Sequence, residues 1–332
     1  VTEEIPPELK ELVVAFDEYI ARVPLGAEPN QDKPNHLKFA YLAGEIPFLY
    51  GQFEEAKKRL NPIYQQQCGE TEYGYLAWEK LITMANKEND YETSRALAQA
   101  TKKKSCAVDE AQKVAEEGIS NPTIQRGFFQ EAAAAYDKAC RPIDASGNAC
   151  ESSGDEGCSC TPAKPEDGPE RAAQWRKAAE LYEGALREAP DRKEAPEAAI
   201  LGASSYKQIG EYDKAIAMYE LFIKEYGSDE NMTKLEKGDP SNGVPPKPEE
   251  LKDRVTYLKV AYDALAEAYV LFFDYRRAAA TYDKIAGIKR FEAADRRQAA
   301  RNAVYLYGNI GERAKMEDAK KTFFGMNPSA EE

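Results

Sequence analysis

Six cysteines and a single histidine are the residues of this 332-residue chain whose chemistry is most restrictive. Cys140, Cys150, Cys158 and Cys160 lie in or beside one polar stretch, whereas Cys68 and Cys106 lie well upstream. Four thiols allow three pairings. A bond between Cys158 and Cys160 would be strained. That leaves Cys140–Cys158 with Cys150–Cys160, or Cys140–Cys160 with Cys150–Cys158. The stretch reads as a disulfide-stapled loop, with a four-thiolate zinc knuckle and plain reduced thiols as the alternatives. The usual C-x2–4-C pairs of a zinc knuckle are missing. An even count, and a polar loop long enough to need a staple, favour disulfides and an oxidising compartment outside the cytoplasm.

His36, just after Pro34, is the lone imidazole. It leaves no multi-histidine metal site, and no Ser-His-Asp or Cys-His arrangement unless it serves itself. It reads as an ordinary surface or helix-start residue. Glycine-rich phosphate loops, G-x-G-x-x-G openings and G-x-S-x-G elbows are absent from the sequence. Glu54-Glu55 and Glu249-Glu250 read as solvated faces and helix starts. Asp155-Glu156 and Glu166-Asp167 could attract calcium, but the spacing of a calcium loop is missing. The expectation is a protein with no catalytic residues, cofactor or metal.

A net charge of -13 argues against nucleic acid, which needs a concentrated basic face. It equally disfavours a polybasic membrane patch, yet it could steer in a basic protein partner. No run approaches the roughly 18 to 20 apolar residues of a membrane span. The chain starts at Val1, so an N-terminal segment is expected to be missing, and with it any signal or lipid anchor.

The elements that carry these residues are helices in pairs. Residues 198–227 read AAILGASSYKQIGEYDKAIAMYELFIKEYG. Leu201, Gly202, Ala203 and Tyr206 fall on one helix, Gly210-Glu211-Tyr212 on a turn, and Ala215, Tyr219 and Phe222 on a second helix. Small residues at Gly202, Ala203 and Ala215 let two backbones approach, and the aromatics fill the space beside them. Gly210 suits a left-handed C-cap. This segment resembles the tetratricopeptide repeat, an antiparallel helix pair of ~34 residues.

Further copies run over 262–290 (Leu265, Ala266, Tyr269, turn Asp274-Tyr275, Ala278, Tyr282, Ile285) and over 300–328 (Tyr307, turn Gly311, Met316, Phe323, Pro328). Nearer the N-terminus, Ala43-Gly44, Gly51-Gln52-Phe53, Ala56 and Leu60 form another. Trp78, Ile82, Ala85, Asn89-Asp90-Tyr91, Ser94 and Ala98 form a fifth. In the middle, a helix over 123–140 pairs with one carrying Trp175, Ala178, Tyr182 and Ala185. Residues 8–24 look like a half-repeat or cap. Cys68 and Cys106 then end the second helices of consecutive hairpins, a natural distance for a bridge.

The resemblance implies an all-α, right-handed solenoid of about six hairpins with two long loop insertions. Hairpins occupy 1–140, a Cys-rich loop 141–169, central helices 170–227, a Pro-rich connector 228–252 and C-terminal hairpins 253–332. Helix is excluded from 141–169 by its Gly, Ser and Pro content, and prolines 240, 245, 246 and 248 make 228–252 a semi-rigid connector or hinge. In this family the first helix of each hairpin lines a concave protein-binding groove. Its offset places Lys38, Tyr41, Phe48, Glu79, Ser204, Lys207, Asp263, Glu267, Arg301, Tyr305 and Asn309 there. Ile200, Ser204, Asp263 and Glu267 stand where some members carry a Lys and Asn carboxylate clamp, so recognition of a peptide C-terminus is not expected. The repeats look most like those of bacterial periplasmic and outer-membrane lipoproteins that scaffold assembly, secretion or motility machines. The expected function is therefore a non-catalytic scaffold for other proteins, with membrane association only through a lost lipid anchor. The alternative is a cytosolic, chaperone-like adaptor with free or zinc-bound cysteines.

Overall fold

The computed structural model of the protein describes residues 2–23, 33–140, 142–143, 146, 159–160, 168–238 and 245–328. The chain divides into two compact units, residues 1–131 and 132–332.

Unit 1 holds α1 (Pro7–Arg22), α2 (Lys33–Leu49), α3 (Phe53–Gln67), α4 (Glu72–Lys87), α5 (Tyr91–Lys103) and the first part of α6 (Glu110–Ala139). From α1 to α5 each helix packs on the next. Helix α4 shows why. Ala77, Leu81 and Met84 join Leu60 and Tyr41 in one apolar cluster, while Tyr75, Trp78 and Ile82 join Ala98 and Cys106 in another. Two apolar faces on one helix require a neighbour on each side. Lone α1 buries none of its residues completely, in keeping with a cap or half-repeat.

Unit 2 holds the end of α6, then α7 (Gly168–Glu188), α8 (Ala195–Gln208), α9 (Tyr212–Glu225), α10 (Asp229–Lys237), α11 (Pro248–Leu271), α12 (Tyr275–Gly287), α13 (Ala293–Asn309) and α14 (Arg313–Gly325). Here α7, α8 and α9 pack each on the next, as do α11, α12, α13 and α14, and α11 packs on α9 and α8 as well as on α10. The fold is thus all-α and solenoid-like within each unit.

Five hairpins, α2/α3, α4/α5, α8/α9, α11/α12 and α13/α14, turn in one way. Gly51, Asn89, Gly210, Phe273 and Gly311 all have φ between 58° and 77°. In each case the next N–H reaches back to the carbonyl five residues earlier: Gln52 to Pro47, Asp90 to Ala85, Glu211 to Tyr206, Asp274 to Tyr269 and Glu312 to Tyr307, all at 2.8–3.0 Å. This is the Schellman bond, which satisfies a helix-end carbonyl and reverses the chain. Asp90 and Asp274 also cap the following helix by accepting from the N–H of Thr93 and Arg277. Close approach explains Gly202: a Cβ there would lie 2.9 Å from that of Tyr182 and would overlap Met218.

Three sequence expectations need correction. The helix expected over 123–140 starts at Glu110 and runs through Pro122. Proline removes only one ladder bond, and tertiary contacts anchor the earlier half: Ser120 bonds Thr101 at 2.9 Å, and Glu116 accepts from Ser105 Oγ and from the N–H groups of Cys106 and Ala107 at 2.8–3.0 Å. The connector 228–252 is mostly helical. Ser228 caps α10 by accepting from the N–H of Asn231, Met232 is 1% exposed, and Pro248 begins α11. Arg290 holds α10 through Asp229, Thr233 and Glu236. The first insertion, expected to run to 169, gives way to helix at Gly168, with Pro169 in the first turn of α7. Its described part is a two-residue antiparallel ladder, β1 (Pro142–Ile143) with β2 (Ser159–Cys160).

Among the described residues two disulfides are present. Cys68, at the C-cap of α3, joins Cys106 in the loop before α6 with the Cα atoms 4.3 Å apart. Cys140 joins Cys160 with Cα atoms 5.0 Å apart, closing a 20-residue separation over the insertion. This pairing is one of the two expected, and Cys150 and Cys158 lie outside the described residues.

A candidate docking cleft between α8 and α11

The first helices of two successive hairpins in unit 2 face each other across a cleft of about 780 Å³. Ser204, Lys207 and Gln208 line it from α8, and Val260, Asp263, Ala264 and Glu267 from α11. Ile209 and Gly210 of the turn, with Tyr212 and Tyr219 of α9, complete it. Ser204, Lys207, Asp263 and Glu267 were all expected on a binding face, and they meet here.

Two nested ion pairs set the charge. Lys207 Nζ donates to Glu267 Oε2 at 2.9 Å across the cleft. Lys259 binds Asp263 at 2.9 Å and lies 3.6 Å from Asp295. Buried Tyr219 forms the floor; desolvation raises its pKa, with Tyr136 and Glu267 adding to the effect.

What fixes the two walls is a motif that periodicity alone did not reveal. In three hairpins a tyrosine stands four residues before the turn residue. Tyr206, Tyr269 and Tyr307 donate their hydroxyls to Glu183, Glu220 and Asp283 on a preceding second helix, at 2.6, 3.0 and 3.4 Å. A cation from the first turn of the following helix lies over each ring: Lys214 at 4.8 Å, Arg277 at 4.7 Å and Lys315 at 5.5 Å. Burial, then the facing carboxylate, raises all three phenol pKa values, that of Tyr307 to about 12. The sequence offsets to the carboxylates are 23, 49 and 24 residues. The middle one is 25 longer than the last, which is the length of the 228–252 insertion. That segment is therefore inserted between α9 and α11 without disturbing how their hairpins join.

The other expected groove residues lie elsewhere. Tyr41 is buried and donates its hydroxyl to Glu45 at 2.7 Å. Phe48 is half-buried, stacked on Phe53 at 6.0 Å and covered by Lys80 and Lys87. Lys38 is exposed, and Glu79 is half-buried on α4. Arg301 donates to Gln298 at 2.6 Å, while Tyr305 and Asn309 project from α13 into solvent. His36 bonds the carbonyl of Val23 through Nδ1. Among the described residues no group of three His, Cys, Asp or Glu side chains could hold a metal ion, and no helix is long and apolar enough to cross a membrane.

Sequence reasoning missed the apolar rim beside the cleft. Leu271, Phe272 and Phe273 are 53%, 52% and 77% exposed, and the Phe272 ring packs edge-on to Tyr212 at 5.4 Å. The signal was there to find, as Phe273 occupies the turn position that holds Gly or Asn in the four sister hairpins.

No protein-family model matches the sequence, and no curated protein does either. Among solved structures, the chain is similar to BtubC (BKLC) from P. vanneervenii. The two are 14% identical, with 88% of this chain and 93% of that one covered. The TM-score is 0.33, at which the likeness carries no argument about fold or function.

Proposed function

We propose that the protein is a non-catalytic scaffold of tetratricopeptide-like hairpins that docks another protein in the cleft between α8 and α11. The observation that carries this reading is the cleft itself. It is open, lies between the first helices of two hairpins, and mixes ion pairs with Val260, Tyr212 and Tyr219. Polar groups around an apolar and aromatic centre are what a protein interface needs. The same reading places the protein in an oxidising, extracytoplasmic compartment, because four of its cysteines are paired in disulfides. The pairing disfavours a cytosolic adaptor with free or zinc-bound thiols. The repeat resemblance extends the proposal to an assembly, secretion or motility complex of the bacterial cell envelope.

The test is a photo-cross-linker in place of Val260, which lines the cleft and is 41% exposed. Irradiation in extract of the native host should give one dominant protein adduct that excess unmodified chain competes away. No competed adduct would contradict the docking reading.

A further inference from the structure

The character of the cleft defines what it accepts. Glu197 and Ser204 are seven residues apart on α8, as are Asp253, Val260 and Glu267 on α11, so each set lies on one side of its helix. Glu267 is already paired with Lys207. Glu197 and Asp253 are not; among the described residues neither has a cation partner. Desolvation raises the pKa of Glu197, and the negative charges of Asp253 and Glu194 raise it further. The carboxylates of Glu197 and Asp253 therefore repel each other one heptad before the cleft-lining Ser204 and Val260, in a chain of net charge -13.

One turn beyond Glu267 the character changes. Val270, Leu271, Phe272 and Phe273 are each at least 38% exposed. Phe273 holds φ at 59°, where a residue with a Cβ is strained. Burial does not account for that strain, since the side chain is 77% exposed, with its ring edge-on to Tyr275 at 6.2 Å. This apolar rim is continuous with the cleft through Tyr212, which lines the cleft and packs on Phe272.

We propose that the cleft docks a basic amphipathic segment of a partner protein. Its cations lie between α8 and α11 against Glu197, Asp253 and Glu267, and its apolar residues cover Leu271, Phe272 and Phe273. The assignment rests on the docking reading above and adds the chemistry of the occupant. Charge complementarity selects the cationic face. The adjoining rim, kept apolar at the expense of turn geometry, selects the apolar one.

The probes are two fluorescent amphipathic helical peptides with the same leucine face, one with lysine and the other with glutamate on the polar face. Anisotropy with the full chain should show the lysine peptide binding at least about tenfold tighter, with an affinity that falls as salt rises. Glu197→Gln with Asp253→Asn should weaken it about fivefold and flatten the salt dependence. Phe273→Gly should weaken it several-fold and leave the salt dependence unchanged. Circular dichroism confirms that each variant is folded. Equal or tighter binding of the glutamate peptide would overturn the assignment, as would lysine-peptide binding that ignores both variants. If either happens while the Val260 adduct still forms, the docking reading survives and only the basic occupant falls. Loss of the Val260 adduct removes both.

Discussion

The two units stack similar hairpins but join them by different chemistry. In unit 2, Tyr206, Tyr269 and Tyr307 tie each hairpin to an earlier one through a carboxylate, under a cation. The equivalent positions in unit 1, four residues before Gly51 and Asn89, are Pro47 and Ala85, which have no hydroxyl to give. Unit 1 relies instead on the Cys68–Cys106 bond, on Glu116 holding the loop that carries Cys106, and on a two-pronged ion pair from Arg95 to Glu131. A covalent link holds regardless of pH or salt but depends on the redox environment; a phenol–carboxylate link has the opposite dependence. Unit 2 also has the cleft, and a wall fixed by hydrogen bonds still permits small adjustment around an occupant.

The largest break in this contrast should come from the disulfide. Cys68→Ala with Cys106→Ala opens a 38-residue separation, and unit 1 should lose about 3–4 kcal/mol. Its melting transition should then move well below that of unit 2, as calorimetry can record.

Next come the tyrosines. Replacement by phenylalanine removes one hydroxyl and leaves a carboxylate short of a donor, a loss of about 1–2 kcal/mol each. Tyr206→Phe should cost most and Tyr307→Phe least, following 2.6, 3.0 and 3.4 Å. Urea titration followed by tryptophan fluorescence, in a Trp78→Phe background so that buried Trp175 of unit 2 reports alone, should place the loss in unit 2.

Smaller, and opposite in sign, is Phe273→Gly. Glycine adopts φ near 59° without strain, and Phe273 buries little. Stability should rise by up to about 1 kcal/mol while lysine-peptide binding falls. A substitution that stabilises the fold and weakens binding marks a residue kept for contact rather than for folding.

The smallest effect is a pH dependence. Glu197 has a raised folded pKa, so its protonated form is favoured by folding. That contribution is full below the unfolded pKa and is lost as pH rises through the folded value. Glu197→Gln should therefore stabilise slightly at neutral pH and flatten the slope of stability between the two values. Denaturation midpoints across acid to neutral pH check this.

Much of the architecture was legible in the residues. Gly210, Gly311, Gly51 and Asn89 announce left-handed turns, and Gly202, Ala203 and Ala215 mark close helix approach. The fifth turn was placed by Asp274-Tyr275 rather than by the bulky Phe273, so its strain and exposed rim went unseen. The proline count of 228–252 hid α10, although Ser228, the acidic first turn and Gly238 are ordinary start and stop signals. Of the groove residues, those on α8 and α11 meet in one cleft, whereas Tyr41 faces the core. A helical offset gives the face of one helix, but which faces enclose a cavity depends on the neighbours. The partners of Tyr206, Tyr269 and Tyr307 were out of reach for a similar reason, since 23 to 49 residues separate each from its carboxylate.

The most direct test compares the units. A photo-cross-linker at Val260, in the unit 2 cleft, should capture one partner protein, whereas the same group at exposed Lys38 of unit 1 should capture little. The linked peptide in the partner should be rich in lysine and arginine. Equal capture from Lys38, or no competed capture from Val260, would contradict the account.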